Sequence, residues 1–285
     1  MKEYGVWLSR EDVRERILLF TKGVCPADIH DPDRPRNYDW HMDHVIDPLV
    51  KGERIDDGSK SPYDDRKLRM NKPIVEERKI VIPIGATHFY RLQADQKRDS
   101  SLNKVLREQG ETRFDDKYAF FAATLGVTVV PRTREGYILL GPRTNSHGTN
   151  ELNAVSGFLP FVDFRKESML TIGAVHAHIN TELEEEWGVG RRMWKEEPRF
   201  VGASYSLETG ETDLSFLLDI NLSEEELKQR WDNFKKEEEH SVLFTLKSPE
   251  EIRAVLEEGK VPDTEKKFEV FSITAHPLRE LLESQ

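Results

Sequence analysis

Three carboxylates set the chemical question. At about 100° per residue of helix, Glu182, Glu185 and Glu186 fall at roughly 0°, 300° and 40°, so all three share one narrow face. Like charges at i, i+3 and i+4 repel. A hard divalent cation such as Mg2+ or Mn2+, which takes oxygen ligands, removes that repulsion. Glu184 falls at about 200°, on the other side of the helix, and reads as a solvated neighbour. A bare run of glutamates is more often only a solvated helix face, so the flanking residues have to decide. A second group of ligand-type residues, Asp39, His41, Asp43 and His44, stands close together in DWHMDH, and imidazole with carboxylate binds transition metals. Histidines at that spacing in a loop are more often surface or packing residues.

The stretch from Met169 to Gly190 that carries the glutamates reads as a helix with a glycine stop. Ile172, Ile179, Leu183 and Trp187 gather on the neighbouring arc, at about 60° to 140°, so the acidic face runs along the edge of buried structure. Gly157 interrupts a strand-like AVSGF, which marks a bulge or a close approach of backbone. The rest of the chain supplies elements to hold this helix. Ser9 caps a helix with Val13, Ile17 and Leu18 as its stripe, and residues from Cys25 to Pro73 read as an irregular arm rich in Asp, Pro, Arg and Lys. KIVIPI (79–84) is a strand ended by Gly85, followed by a polar helix with its stop at Gly110. Residues 118–140 read as an apolar hairpin turning at Gly136, and RFVGASYSL and DLSFLLDINL as two further strands. Ser223 and Ser248 cap later helices, the second over 249–257; 241–246 is a strand and Pro277 to Leu282 a last helix.

A chain of 285 residues with 37% hydrophobic and 33% charged residues suits a water-soluble fold with a sizeable core. No apolar run approaches the ~20 residues a membrane helix needs. The net charge of −11 repels phosphate backbones, and no basic stretch of any length offsets it, which argues against non-specific nucleic-acid binding. Cys25 stands alone, and the first residues lack a secretory apolar block and cleavage site, so a cytoplasmic protein is expected.

TELEEEWGV resembles the end of the Nudix box, whose pattern is Gly, five residues, Glu, seven residues, then Arg-Glu-apolar-any-Glu-Glu-any-Gly-apolar. Glu182, Leu183, Glu185, Glu186, Gly188 and Val189 match, and Gly157 is followed after five residues by Asp163 in the place of the first glutamate. The strands LGVTVV and YILLG and the arginine of GPR, Arg143, look like those that precede such a box. Two departures stand out. Thr181 occupies the arginine position, and seventeen residues rather than seven separate Asp163 from it. In the family that arginine braces the loop, so here bracing falls to Arg165, Arg191 or Arg192, or is absent.

The resemblance implies an α/β fold, the α/β/α sandwich of the Nudix type with a mixed sheet. It divides the chain into an N-terminal arm and small lobe (1–117), the Nudix core (118–246) and a C-terminal helical extension (247–285). It implies that Glu182, Glu185 and Glu186 ligate Mg2+ or Mn2+, that Glu186 or Glu185 handles the attacking water, and that Gly157, Asp163 and Arg143 belong to the substrate loop. The substrate is then a small-molecule nucleoside diphosphate derivative, cleaved at its diphosphate. The layout, with THFYR in an extended N-terminal lobe, looks like the UDP-glucose-hydrolysing branch; an ADP-ribose-like substrate, a catalytically weak nucleotide sensor and a homodimer are also left open. His178, at about 320° beside Glu182 and Glu185, is placed to contact the phosphate or carry a proton, whereas His176, at about 120°, packs among Leu183 and Trp187. Tyr90, Phe120 and Phe121 are aromatic anchors whose default role is packing, with base stacking as the functional alternative.

Overall fold

The computed structural model describes residues 4–22, 66–142, 151–160, 170–234 and 242–283. In chain order the elements are β1 (Tyr4–Leu8), α1 (Arg10–Val13), β2 (Ile17–Lys22), β3 (Arg66–Met70), β4 (Ile74–Val75), β5 (Lys79–His88), α2 (Phe89–Lys97), α3 (Ser100–Phe114), β6 (Leu125–Arg132), β7 (Ile138–Pro142), β8 (Glu151–Asn153) and β9 (Val155–Phe158). There follow α4 (Ile172–Trp187), a single 3-10 turn (Arg191–Met193), β10 (Arg199–Ser206), β11 (Thr212–Asp219), α5 (Glu224–Phe234), β12 (Phe244–Leu246), α6 (Pro249–Glu258), β13 (Glu269–Val270) and α7 (Ser272–Leu282). Among the described residues no helix is long and apolar enough to cross a membrane.

The main sheet runs β1-β10-β11-β6-β7-β8-β13, with β9 paired to β6 and β12 to β7. It is mixed: β6 lies parallel to β11 along its whole length and antiparallel to β9 on its other side. Side chains alternate between the two faces of a strand, and here each face has its own core. Val127 and Val129 of β6, Leu214 and Phe216 of β11 and Ala203 of β10 meet Val175, Ile179, Leu183 and Trp187 of α4. Val130, Leu217 and Val201 turn to the opposite face, where Leu278 and Leu281 of α7 and Ile252 and Val255 of α6 cover them. The chain is therefore an α/β/α sandwich with a mixed central sheet, as the sequence predicts.

A smaller sheet, β2-β5-β3 with β4 on β5, sends Phe20, Leu68, Ile80 and Ile82 into the first of these cores. It is stitched to the start of β6 and the end of β9: Leu68 N–H donates to the Leu159 carbonyl (2.9 Å) and Met70 N–H to that of Ala123 (3.1 Å). The fully buried Arg69 guanidinium donates to the carbonyls of Tyr118 (2.7 Å) and Phe121 (3.3 Å), holding the turn that leads into β6. Residues from 1–117, 118–246 and 247–285 all build the main sheet or its covering layers, since β1 is its edge strand and α6 and α7 line its second core.

Several element boundaries differ from the sequence reading. Ser9 and Asp12 form a capping box, but the helix stops at Val13 because Ile17 and Leu18 are drawn into β2, in parallel register with Lys79 and Ile80 of β5. Gly85 does not end β5, which continues to His88 against β3. Gly110 sits inside α3, where its missing side chain admits the carbonyls of Asp116 and Lys117. The polar helical stretch is split by Asp99, whose carboxylate accepts from Ser101 N–H (2.8 Å) and caps α3. Strands β6 and β7 meet only at Arg132 and Ile138, because β9 takes the rest of that edge. Helix α7 begins at Ser272 rather than Pro277, whereas Ser223 and Ser248 cap as expected.

Glu224, at the start of α5, ties that helix to β12 and the residue after it. Its carboxylate accepts from Lys228 Nζ (2.7 Å) and Thr245 Oγ1 (2.7 Å), and Lys247 Nζ lies 3.2 Å away. Burial pushes the carboxyl pKa up, but these donors outweigh it and hold it down at about 2, against an ordinary 4.5. A carboxylate with a depressed folded pKa stabilises fully above its unfolded value and loses that contribution as pH falls toward the folded one. Glu224→Gln should thus cost ~1–3 kcal/mol at pH 7. The difference should shrink steadily below pH 4.5 in denaturant unfolding of the two proteins.

Candidate active site

Helix α4 is positioned by its apolar stripe and by both caps. Val175, Ile179, Leu183 and Trp187, four residues apart, are all fully buried. Ile172, expected on that stripe, is the first helical residue and 37% exposed; Val175 takes its place. Thr171 Oγ1 accepts from Ala174 N–H (3.2 Å) at the start. Gly188 ends the helix in the left-handed region (φ 67°), and Val189 N–H returns to the Leu183 carbonyl (3.0 Å), the geometry that a glycine stop permits.

This seating leaves Glu182 and Glu186 half-buried at the edge of the first core, with Glu185 exposed. Glu182 is the most constrained. Its carboxylate lies directly over the backbone of Gly157 in β9, so close that a Cβ there would stand 2.6 Å from Glu182 Oε2. On the helix itself, His178 Nε2 stands 3.3 Å from Glu182 Oε1, with the imidazole only 9% exposed. The structure thus brings Gly157, His178 and Glu182 together, with Glu185 and Glu186 one turn further along the same helix. Glu184 is exposed, as expected, and its carboxylate folds back over Gly190.

Asp163 and Arg143 lie outside the described residues, as do Arg165 and the Asp39–His44 group. Thr181 is exposed and its hydroxyl donates to the Ala177 carbonyl of its own helix (3.3 Å), so it braces nothing beyond α4. Arg191 is committed elsewhere, to Glu197, which it holds below the usual carboxylate range. His176 does pack, edge-on to Phe216, and its Nδ1 also meets Glu197 (3.0 Å), a pairing the periodicity did not show. Burial pushes its imidazole pKa down against the pull of that carboxylate. Phe120 and Phe121 are buried with Leu106 and Tyr118, which leaves them to packing; the side chain of Tyr90 is not among those described.

Asp213, the second residue of β11, is a carboxylate the sequence reading passed over. It is 2% exposed, accepts from Thr128 Oγ1 (3.3 Å) and lies against Gly126 on the opposite face of the sheet from Glu182. An aspartate at the head of the apolar run DLSFLLD, with a glycine in LGVTVV, was the available signal. Among the described residues no three Asp, Glu, His or Cys side chains already converge on one point. The donors are nevertheless of the right kind, hard oxygens on one face. They stand at a helix C-terminus, where the macrodipole disfavours negative charge, and the last turn holds no basic residue.

No family model and no curated protein sequence matches the chain. Among solved structures, it is similar to the MutT protein from Methanosarcina mazei Go1, with 16% identity, 57% of this chain and 95% of that chain covered and a TM-score of 0.36. It is also similar to a Nudix hydrolase from Nitrosomonas europaea, with 16% identity, coverage of 56% and 89%, and a TM-score of 0.33.

The contact at Gly157 makes a separable prediction. Its backbone does not need a left-handed φ, so alanine is permitted there, and removing a strand glycine favours folding by ~0.5–1 kcal/mol. The atoms in the way are the mobile end of Glu182. Gly157→Ala should therefore leave the melting temperature unchanged or slightly raised while displacing the Glu182 carboxylate in a crystal structure of the variant. A large loss of stability would mean that the contact is rigid packing.

Proposed function

We propose that this chain is a Mg2+- or Mn2+-dependent pyrophosphohydrolase of the Nudix type, acting on a nucleoside diphosphate linked to another group, with a UDP-sugar or ADP-ribose-like molecule as substrate. What supports the reading is the placement of Glu182 on the bare backbone of Gly157, with Glu185 and Glu186 completing an acidic helix face beside it. Glu182, Glu185 and Glu186 would hold the cation, the exposed Glu185 turning to complete the set. A bound divalent ion supplies charge neutralisation at the diphosphate oxygens and a more acidic water.

The chain's own share is orientation and proton transfer. Glu186 or Glu185 accepts the proton of the attacking water. The water oxygen bonds to one phosphorus, the bridging P–O bond breaks, and two monophosphates leave. In this reading Asp163 and Arg143 belong to the substrate loop with Gly157, the protein works in the cytoplasm, and a homodimer is compatible with the site.

One observation favours a second reading, a nucleotide-binding sensor with weak turnover: Thr181 braces only its own helix and Arg191 is spent on Glu197. Such a sensor would be stabilised by nucleotide in a thermal shift without forming product.

The test is a panel of UDP-sugars, ADP-ribose, NADH, dinucleoside polyphosphates and capped RNA, assayed with Mg2+ or Mn2+. Mononucleotide release that EDTA abolishes is expected, and Glu186→Gln should lower it by ~100-fold or more with little change in melting temperature. No product from any substrate would end the hydrolase reading. Full activity of Glu186→Gln would remove Glu186 from it.

A further inference from the structure

We propose that the outer face of the small sheet is a docking surface for a second copy of this chain, an inference that stands apart from the hydrolase reading above. Strand alternation divides β2 and β5 between two faces. Leu18, Phe20, Ile80 and Ile82 turn inward to the first core. Ile17, Leu19 and Val81 therefore turn outward, and none of them belongs to a core cluster among the described residues. Register gathers them into one patch. Ile17 and Leu19 of β2 lie beside Lys79 and Val81 of β5, and Ile74 of β4 lies against Val81 from the other side. A row of apolar side chains, Leu19, Val81 and Ile74, thus crosses three strands, with Ile17 one step along β2. Ile17 is 66% exposed and Ile74 54%, the two most exposed large apolar side chains among the described residues. Single exposed apolar residues need no explanation, but a contiguous row marks a contact surface. The main sheet has a covering layer on both faces, and the outer face of the small sheet shows none among the described residues.

A cleft of about 690 Å³ opens beside Ile17, walled by Glu11, Arg14, Glu15, Arg16, Glu77 and Arg78. These residues come from two segments, the one from α1 into β2 and the one between β4 and β5, and each segment carries both signs of charge. Arg16 ties the two together: its guanidinium donates to the carbonyl of Glu76 (2.9 Å) and to that of Glu11 (3.1 Å). Ile17 N–H donates to the Arg78 carbonyl (3.1 Å), and Lys79, beside Ile17, pairs with Glu76 (3.1 Å). The rim is thus set before a partner arrives, which limits the ordering cost of association.

Charge selects the occupant. With a net charge of −11, two copies repel each other through most pairs of surfaces. Here three arginines stand among three glutamates, so the rim is locally neutral. A two-fold contact brings the same patch together from both copies and requires it to be self-complementary, which an apolar row bordered by both signs of charge satisfies. A membrane surface would call for a basic cluster, and a nucleic acid for a rim without glutamates. The patch is smaller than the roughly 20–30 residues a side of a standard interface, so the dimer should be weak, with a dissociation constant in about the micromolar range.

The experiment is sedimentation velocity on the full chain from about 1 to 100 μM, over which a dimer should grow in. Ile17→Thr combined with Ile74→Thr keeps β-branched residues on the strands. It should weaken the dimer by ~10-fold or more and leave the melting temperature of dilute protein unchanged. Arg14→Glu combined with Arg78→Glu leaves one arginine among five glutamates on the rim. That variant should dissociate at low salt and recover its dimer in about 0.5 M NaCl, where the added repulsion is screened. A wild-type chain that stays monomeric at every concentration overturns the proposal. So does a dimer that either double variant leaves intact, because such a dimer is held by another surface. None of these four residues belongs to α4 or β9, so each outcome leaves the hydrolase reading to its own test.

Discussion

The arrangement depends on a side chain that is missing. At Gly157 the β9 backbone comes close enough to α4 that nothing larger than hydrogen fits under the Glu182 carboxylate. The strand cannot back away, because Gly157 is held in antiparallel register with Val127 of β6, and β6 is locked on its other side to β11. The helix cannot back away either. Four fully buried side chains, Val175 to Trp187, anchor it, each worth ~1.5–3 kcal/mol in burial. The glutamate carboxylate therefore lies between two elements that are fixed for reasons unrelated to it, and the glycine is what lets it lie there. Gly126, next in the same ladder, does the same for Asp213 on the opposite face.

Magnitudes explain why a helix so acidic at its C-terminal end persists. Carboxylates near the negative end of the macrodipole cost about 0.3–1 kcal/mol each, and each like-charged neighbour at i+3 or i+4 adds a few tenths, roughly 0.2–0.5 kcal/mol. For three glutamates and two such pairs the total is on the order of 1–4 kcal/mol, below what the stripe contributes. The fold can thus carry the repulsion without relief. A bound cation is not needed for α4 to form; at this site it would serve chemistry rather than the stability of the helix.

Much of this was legible in the residues, and the gaps follow a physical pattern. Period-3.6 patterning located α4 and its acidic face, serine caps located α5 and α6, and alternating apolar runs located β6, β10 and β11. Gly157 reads in the sequence as a close backbone approach, and the structure shows what approaches it. Misreadings cluster where tertiary pairing overrides local preference. Ile17 and Leu18 suit the stripe of the Ser9 helix until β5 offers a strand partner, and Gly85 looks like a stop until β3 extends the ladder. Long-range polar pairs leave no local signature at all. Arg69 reaching the carbonyls of Tyr118 and Phe121, and His176 reaching Glu197, depend on segments brought together only by folding.

The two faces of the sheet also divide the labour. On the first, hydrophobic burial is nearly continuous from the small sheet through β6 and β11 to α4, and the acidic residues of α4 lie at its rim. On the second, buried polar groups run through the layer. Ser215 Oγ meets His276 Nδ1 (3.0 Å), Thr274 donates to Asn153 (2.5 Å), and Asp213 lies beside Thr128. Buried polar pairs specify register more than they add stability, and here they pin α7 to β8 and β11. Burial holds His276 neutral, its pKa pushed down to about 4, which suits a residue that orders packing. A sandwich whose polar specificity lies on one face can leave the other free to present an acidic rim at a single glycine gap.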